Sequence, residues 1–225
     1  MSIVRLKLLD KMYFWIIIYS FPLFGWNHGA TSDDTKRQFV ADKWVLAVQE
    51  MHKSGIPASV TLAQCILETN WGQSDLSYLA NNYFGIKCKD YWVGPTYYKV
   101  DDDKDVSGQL IKSCFRQYDS MESSFRDHSH FLLISPNYNS LFELGSQNYK
   151  GWCEGLKRCG YASDPYYDAK LIQIIETFNL SRFDAISHLS EYNILPLQDT
   201  IFSKQFILNV PSAYKLPPNY TRKIK

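Results

Sequence analysis

The chain has 225 residues, 45% hydrophobic and 16% aromatic, enough to bury one full core with segments left over at the ends. Its formal net charge is +1, with Lys and Arg spread along the chain and no block of them. Nucleic-acid binding rests on clustered cation–phosphate contacts, so the composition argues against that class of partner.

The first segment reads as an export signal. Arg5, Lys7 and Lys11 flank an apolar run from Met12 to Phe24, the length of a signal-peptide core and short of what a bilayer span needs. Residues 1–26 are expected to direct the chain to the periplasm or the cell surface. They are then cleaved, or stay as an N-terminal anchor, which is the one form that would touch a membrane. Cleavage would fall near Gly25 or His28-Gly29-Ala30. Losing residues 1–26 removes three bases and one acid and leaves a formal charge of −1, so bulk positive charge is no basis for attachment to a cell wall. Residues 27–36 are polar and read as a linker.

A helix is expected from about Arg37 to Lys53, with Phe39, Trp44, Val45, Val48 and Met51 inward. Gly55 and Pro57 then punctuate a turn into a second helix, whose Val60, Ala63, Ile66 and Leu67 make a core stripe before it breaks at Gly72. Glu68 falls off that stripe, in line with Thr61, Gln64 and Trp71 at i,i+3/i+4 spacing. By spacing alone, a solvated helix glutamate is the ordinary reading. The sharper one is a general acid whose pKa is raised by apolar neighbours, since burial disfavours the charged form.

Residues 84–118 change texture. Tyr97-Tyr-Lys-Val100 and Cys114-Phe-Arg-Gln-Tyr118 alternate as strands of a hairpin, with the acidic run Val100-Asp-Asp-Asp-Lys-Asp105 as a loop between them. Asp119-Ser120 can cap a helix over Met121–Leu133, with Phe125, His128, Phe131 and Leu132 on one face. Short helices follow over Ser140–Leu144 and Asn148–Cys159. Asp164-Pro165 starts a last one that runs to about Phe178. Residues 185–225 form an extension of unreadable role, with Ile201-Phe202 and Phe206–Val210 as strand candidates.

Five cysteines follow the export segment, an odd number that leaves at least one free thiol or an intermolecular bond. Cys88 and Cys114 would sit on neighbouring strands and are the candidate pair in an oxidising compartment. Cys153 and Cys159 lie six apart on one helix, a poor geometry for a bridge, and Cys65 reads as a small buried apolar residue. No Cys/His spacing matches a metal site, and neither a metal nor an organic cofactor is expected.

The segment from Ser54 to Ser74, continued by Asn81-Asn82-Tyr83-Phe84-Gly85-Ile86-Lys87-Cys88, resembles the glucosaminidase family of bacterial cell-wall hydrolases. The likeness continues in order through Trp92-Val-Gly94, Cys114–Ser120, Asp127-His128, Tyr138–Phe142, Trp152–Leu156, Gly160-Tyr-Ala-Ser-Asp-Pro165 and Leu171–Glu176. It covers roughly residues 38 to 184. The resemblance implies an α+β, mostly helical, lysozyme-like domain over 37–184 with a small β-hairpin lobe. It also implies peptidoglycan glycan strands as the partner.

The family's catalytic acid falls on Glu68. In family members a second acidic residue on the β-lobe helps to position or activate water. Here that stretch carries aspartates, with Asp103 the first choice and Asp102 the second. Attack by the substrate's own N-acetyl group would need no second carboxylate. Tyr161 matches a tyrosine that steadies developing charge, or else is a buried phenol bonded to a loop. Asn81, Asn82 and Phe84 link helix to β-lobe, and their amides either hold sugar or satisfy the turn. Trp71, Trp92 and Tyr118 are candidate cleft aromatics, because aromatic faces pack against pyranose rings. Trp152 reads as core. Asp127-His128 has no Gly-x-Ser-x-Gly elbow and reads as structural packing.

The expected activity is hydrolysis of the β-1,4 bond between N-acetylglucosamine and N-acetylmuramic acid. Two rival readings are a muramidase or lytic transglycosylase that cuts the other linkage, and a catalytically inactive glycan-binding or scaffold protein.

Overall fold

The computed structural model describes residues 32–189. The expected export segment, the first part of the linker and almost all of the C-terminal extension lie outside the described residues. Residues 32–36, expected as linker, instead open helix α1 (Ser32–Ala41), where Asp33 and Asp34 complement the positive end of the helix dipole. The single helix expected over Arg37–Lys53 is broken. Lys43 leaves helical geometry, buries its side chain and lays Nζ 3.8 Å from the Phe39 ring centroid before α2 (Trp44–Ser54) begins.

Helix α3 (Ala58–Thr69) is the centre of the domain. It packs against α2, α6 (Tyr149–Arg158), α7 (Tyr167–Thr177) and the 3-10 helix Leu180–Ala185. All of its residues except Leu67 and Glu68 are buried, the polar Ser59, Thr61, Gln64 and Thr69 included. A helix buried on every side must satisfy its polar groups internally, because none can reach water. At its N-terminus no neighbouring residue supplies a cap. Asp184, 125 residues away, accepts from Ser59 N at 2.8 Å and from Ser59 Oγ at 2.6 Å. One carboxylate thus satisfies an orphan helix donor and ties the end of the domain to its central helix. Replacing Asp184 by Ala should lower unfolding stability by roughly 1–2 kcal/mol in urea titration; an unchanged midpoint would show the cap to be idle.

The C-terminus of α3 carries three successive left-handed residues, Asn70 at φ 46°, Trp71 at 61° and Gly72 at 80°. Gly72 is required twice over, by that φ and because a Cβ would lie 2.9 Å from the Phe39 ring. Helix α4 (Asp75–Ala80) follows, capped by Ser74 Oγ, which accepts from Ser77 N.

Strands β1 (Thr96–Lys104) and β2 (Leu110–Arg116) pair antiparallel, with Tyr97 opposite Phe115 and Val100 opposite Lys112. The register becomes irregular between Val100 and Lys104. Asp101, Asp102 and Asp103 therefore lie in β1, not in the loop expected of them. The turn is tied by Asp105, whose carboxylate accepts from Ser107 N and Gln109 N. The Cys88–Cys114 disulfide joins the incoming segment to β2, as its spacing suggested. Cys65 and Cys153 are buried free thiols, and Cys159 is free and half-buried.

Ser120 caps α5 (Met121–Ile134) as expected, and Asn148 caps α6 by accepting from Gly151 N. The segment Pro136–Glu143 is a 3-10 helix. Asp164 accepts from Tyr166 N, but α7 begins only at Tyr167, later than the proline suggested. Trp152 is fully buried, with Phe125, Leu132, Leu156 and Ile175 in the same core. The result is the mostly helical domain with one two-stranded hairpin that the sequence implied. Among the described residues no helix is long and apolar enough to cross a membrane.

Candidate active site

Glu68 stands one residue before the end of α3, where that helix emerges from the core into a cavity of about 420 Å³. On one side of the cavity run Phe84, Gly85, Ile86 and Lys87. Asp101 and Asp102 of β1 also line it, as do Phe131, Tyr138 and Gly160–Ser163. The cavity thus sits between helical body and hairpin, with an acid on the body and acids on the hairpin.

Three influences act on Glu68. Burial pushes its carboxyl up to about 7, the Tyr167 hydrogen bond pulls it down, and the charge of Asp101 pushes it up again. Burial dominates, so the carboxyl holds its proton near neutrality. Gly85, at φ 62°, lets the backbone come close: a Cβ there would lie 3.5 Å from Glu68 Oε2. Tyr167 Oη donates to Glu68 Oε1 at 3.1 Å. Tyr161 stacks on Tyr167, with centroids 5.6 Å apart and planes 22° apart, and joins the cavity wall.

On the hairpin side, Lys87 holds the acidic run. Its Nζ lies 3.1 Å from Asp101, 2.7 Å from Asp102 and 2.9 Å from Asp103. Three carboxylates around one ammonium raise the Lys87 proton affinity, and hydrogen bonding to Lys87 keeps Asp102 below the usual carboxylate range. Asp103, the first choice for a second catalytic acid, stands off the cavity wall. Its carboxylate accepts from Ser113 Oγ and pairs with Lys87. Asp102, the second choice, and Asp101 do line the cavity.

The residues expected to hold sugar divide. Phe84 lines the cavity and Tyr161 does too, but Trp71, Trp92, Tyr118, Asn81 and Asn82 do not. Trp71 swings away through its left-handed backbone into a cluster with Phe39 and Phe178, under Lys36. Trp92 donates from Nε1 to the Pro95 carbonyl and packs edge-on to Tyr118. Tyr118 is buried and its hydroxyl donates to Asp127. Asn81 is the left-handed cap of α4, and its amide donates to the Tyr118 carbonyl. Asn82 is buried; it donates to the Ile86 and Arg116 carbonyls and accepts from Ile86 N, so its amide satisfies the turn. The cavity aromatics are Phe84, Phe131, Tyr138 and Tyr161.

Sequence reading missed Gln64, Tyr167 and His128 as supports of the acid. Gln64 Nε2 donates to Tyr167 Oη at 3.1 Å, and Gln64 Oε1 lies 3.1 Å from His128 Nε2. His128 is fully buried and stacks on Phe84 at 4.0 Å. Asp127-His128 is packing, as the lone pair of residues suggested, but His128 packs beneath the site. Among the described residues, no three His, Cys, Asp or Glu side chains converge as a metal site would need.

Residues 44–180 match the family model described as mannosyl-glycoprotein endo-beta-N-acetylglucosaminidase. The chain is 33% identical over 134 residues to exo-glucosaminidase LytG of Bacillus subtilis, covering 57% of this chain and 46% of that protein. It is 30% identical over 163 residues to peptidoglycan hydrolase FlgJ of Vibrio cholerae, covering 69% and 48%. The chain spans about half or less of the length of these curated relatives. Among solved structures, the catalytic domain of the autolysin Auto from Listeria monocytogenes superposes with a TM-score of 0.57 at 27% identity, covering 66% of this chain and 87% of that one. A peptidoglycan hydrolase from Sphingomonas sp. A1 superposes with a TM-score of 0.54 at 27% identity, covering 68% and 96%.

Proposed function

The chain belongs to the glucosaminidase family, and from that premise we propose that it hydrolyses the glycan strands of peptidoglycan with Glu68 as the general acid. The observation that carries the reading is the state of Glu68. A carboxyl held protonated up to about pH 7, at the wall of an open cavity that Asp101 and Asp102 also line, has what proton donation to a leaving glycosidic oxygen requires. Asp101 and Asp102 supply negative charge opposite it, where an oxocarbenium-like centre or an attacking water would be stabilised. Tyr161 stands beside the acid to hold the sugar. Phe84, Phe131 and Tyr138 offer apolar surface to pyranose rings.

The linkage proposed is that between N-acetylglucosamine and N-acetylmuramic acid. Mass spectrometry of digested peptidoglycan should show new reducing N-acetylglucosamine ends. Reducing or anhydro N-acetylmuramic acid ends would assign the chain to the other linkage, and an undigested sacculus would make it a binder. Export is part of the same proposal. The Cys88–Cys114 bond needs an oxidising compartment, and the substrate lies outside the cytoplasm.

The pH dependence follows from the acid. Glu68 acts only while protonated, so kcat/KM should hold up to about pH 7 and fall tenfold per unit above it. A rate that keeps rising through pH 8 on soluble glycan fragments would remove Glu68 from the acid role.

A further inference from the structure

A general acid works only if its proton sits on the oxygen that faces the substrate, and a carboxyl has two oxygens. Glu68 Oε2 faces Gly85 on the cavity wall, and Oε1 faces inward to Tyr167. Behind Tyr167 the contacts continue without a gap through Gln64 to His128, each at 3.1 Å. Tyr167, Gln64 and His128 are all buried, at 2% exposure or less.

Building on Glu68 as the acid, we infer that His128, Gln64 and Tyr167 are positioning residues: a one-way chain of donors that keeps Oε1 an acceptor and so confines the acidic proton to Oε2.

The direction of the chain comes from its far end. A Gln amide has one accepting and one donating side, so whatever Gln64 does toward His128 fixes what it does toward Tyr167. His128 is held neutral by burial and owns a single ring proton. With that proton on Nε2, it donates to Gln64 Oε1. Gln64 Nε2 then donates to Tyr167, and Tyr167 has only Glu68 left to donate to. The opposite direction would move the ring proton to Nδ1, which is fully buried and has no hydrogen-bond partner among the described residues. An orphaned buried N–H is rarer and costlier than an orphaned acceptor, so the donating direction wins. It serves both states of Glu68, because Oε1 accepts whether or not Oε2 carries a proton. The acid can therefore give up and regain its proton while the groups behind it stay fixed, as a residue that serves twice in one cycle needs.

The groups that face Glu68 are Tyr167 from α7, Tyr161 from the segment before it, Asp101 from β1 and Cys65 on its own helix, with Lys87 on the same cavity wall. Among the described residues, Tyr167 is the one that hydrogen-bonds the carboxyl.

The test uses the full chain without any glycan, so its outcome is separate from whether peptidoglycan is the substrate. In two-bond ¹H–¹⁵N spectra of histidine-labelled protein, His128 should show the Nε2-protonated neutral ring at pH 5 and at pH 8. An Nδ1-protonated or a cationic ring at either pH overturns the proposal. In Tyr167→Phe the carboxyl-carbon titration of Glu68 should move up by ~1 unit, since the donated hydrogen bond favours the ionised form. On a cleavable glycan, the same variant should lose kcat about tenfold with KM unchanged. An unmoved Glu68 titration overturns the proposal as well, and the histidine spectrum of the unsubstituted protein decides the matter if the variant does not fold.

Discussion

Glu68→Gln should abolish measurable hydrolysis, a loss of about a thousandfold, while the protein becomes more stable at neutral pH. The two effects have one cause. The folded carboxyl titrates near 7 because burial disfavours its charge, whereas in the unfolded chain it titrates near 4.5. Between those values the folded state binds a proton that the unfolded state does not, so Glu68 lowers stability as pH rises from about 4.5 to 7 and the full penalty stands above 7. Discounted for the partial exposure of the side chain, that penalty is about 2 kcal/mol at pH 8. Gln has nothing to ionise and keeps the acceptor for Tyr167, so the variant should exceed the parent by that amount at pH 8 and match it below about pH 4.5. Paired guanidinium titrations at the two pH values measure it, and glycan binding should persist throughout. Near-normal turnover would end the acid assignment; a stability gap independent of pH would end the burial argument.

That site was partly legible in the sequence. Glu68 at the end of an apolar helix, Phe84 and Tyr161 in ordered motifs, and the Cys88–Cys114 pair all fall where the residues implied. The placement of Trp71 failed for a definite reason. Helical spacing set it in line with Glu68, but spacing carries meaning only inside a helix. The α-geometry stops at Thr69, and two left-handed residues turn the indole toward Phe39 and Phe178. Asp103 failed for a related reason. The acidic run was expected as a loop, but it lies in β1, where the register becomes irregular between Val100 and Lys104 and Asp103 pairs with Ser113 and Lys87 away from the cavity.

What supports the acid was nearly invisible. Gln64 was seen to share a face with Glu68, and a polar side chain on a buried helix signals a partner. The partners themselves come from far along the chain: Tyr167 lies 103 residues from Gln64 and 99 from Glu68, and His128 lies 64 from Gln64. No local pattern encodes such meetings. The same holds for Asp184 at the start of α3. The first turn of the central helix is thus satisfied by a side chain that only the fold delivers, whereas its last carbonyls are met locally by the backbone of Asn70 and Trp71.

A buried ion pair ties the hairpin to the body, and breaking it should cost much of the molecule's stability. Arg116, the last residue of β2, is wholly buried, and its Nη1 donates to Asp127 of α5 at 2.8 Å. Tyr118 donates to the same carboxylate, Tyr91 and Trp92 lie under the guanidinium, and Nε reaches the Lys87 carbonyl at 3.3 Å. Arg116→Ala leaves Asp127 charged, buried and short of its counter-ion, so unfolding stability should fall by about 3–5 kcal/mol. Replacing both at once, Arg116→Met with Asp127→Leu, removes the stranded charge and should recover most of that loss. Activity should not recover with it. Without Arg116, the Lys87 segment loses the bond that fixes its carbonyl, and Lys87 is what gathers Asp101 and Asp102 opposite Glu68. A double variant that is stable yet slow would separate holding the hairpin to the body from aiming its acids; a double variant as fast as the parent would show that apolar packing alone aims them.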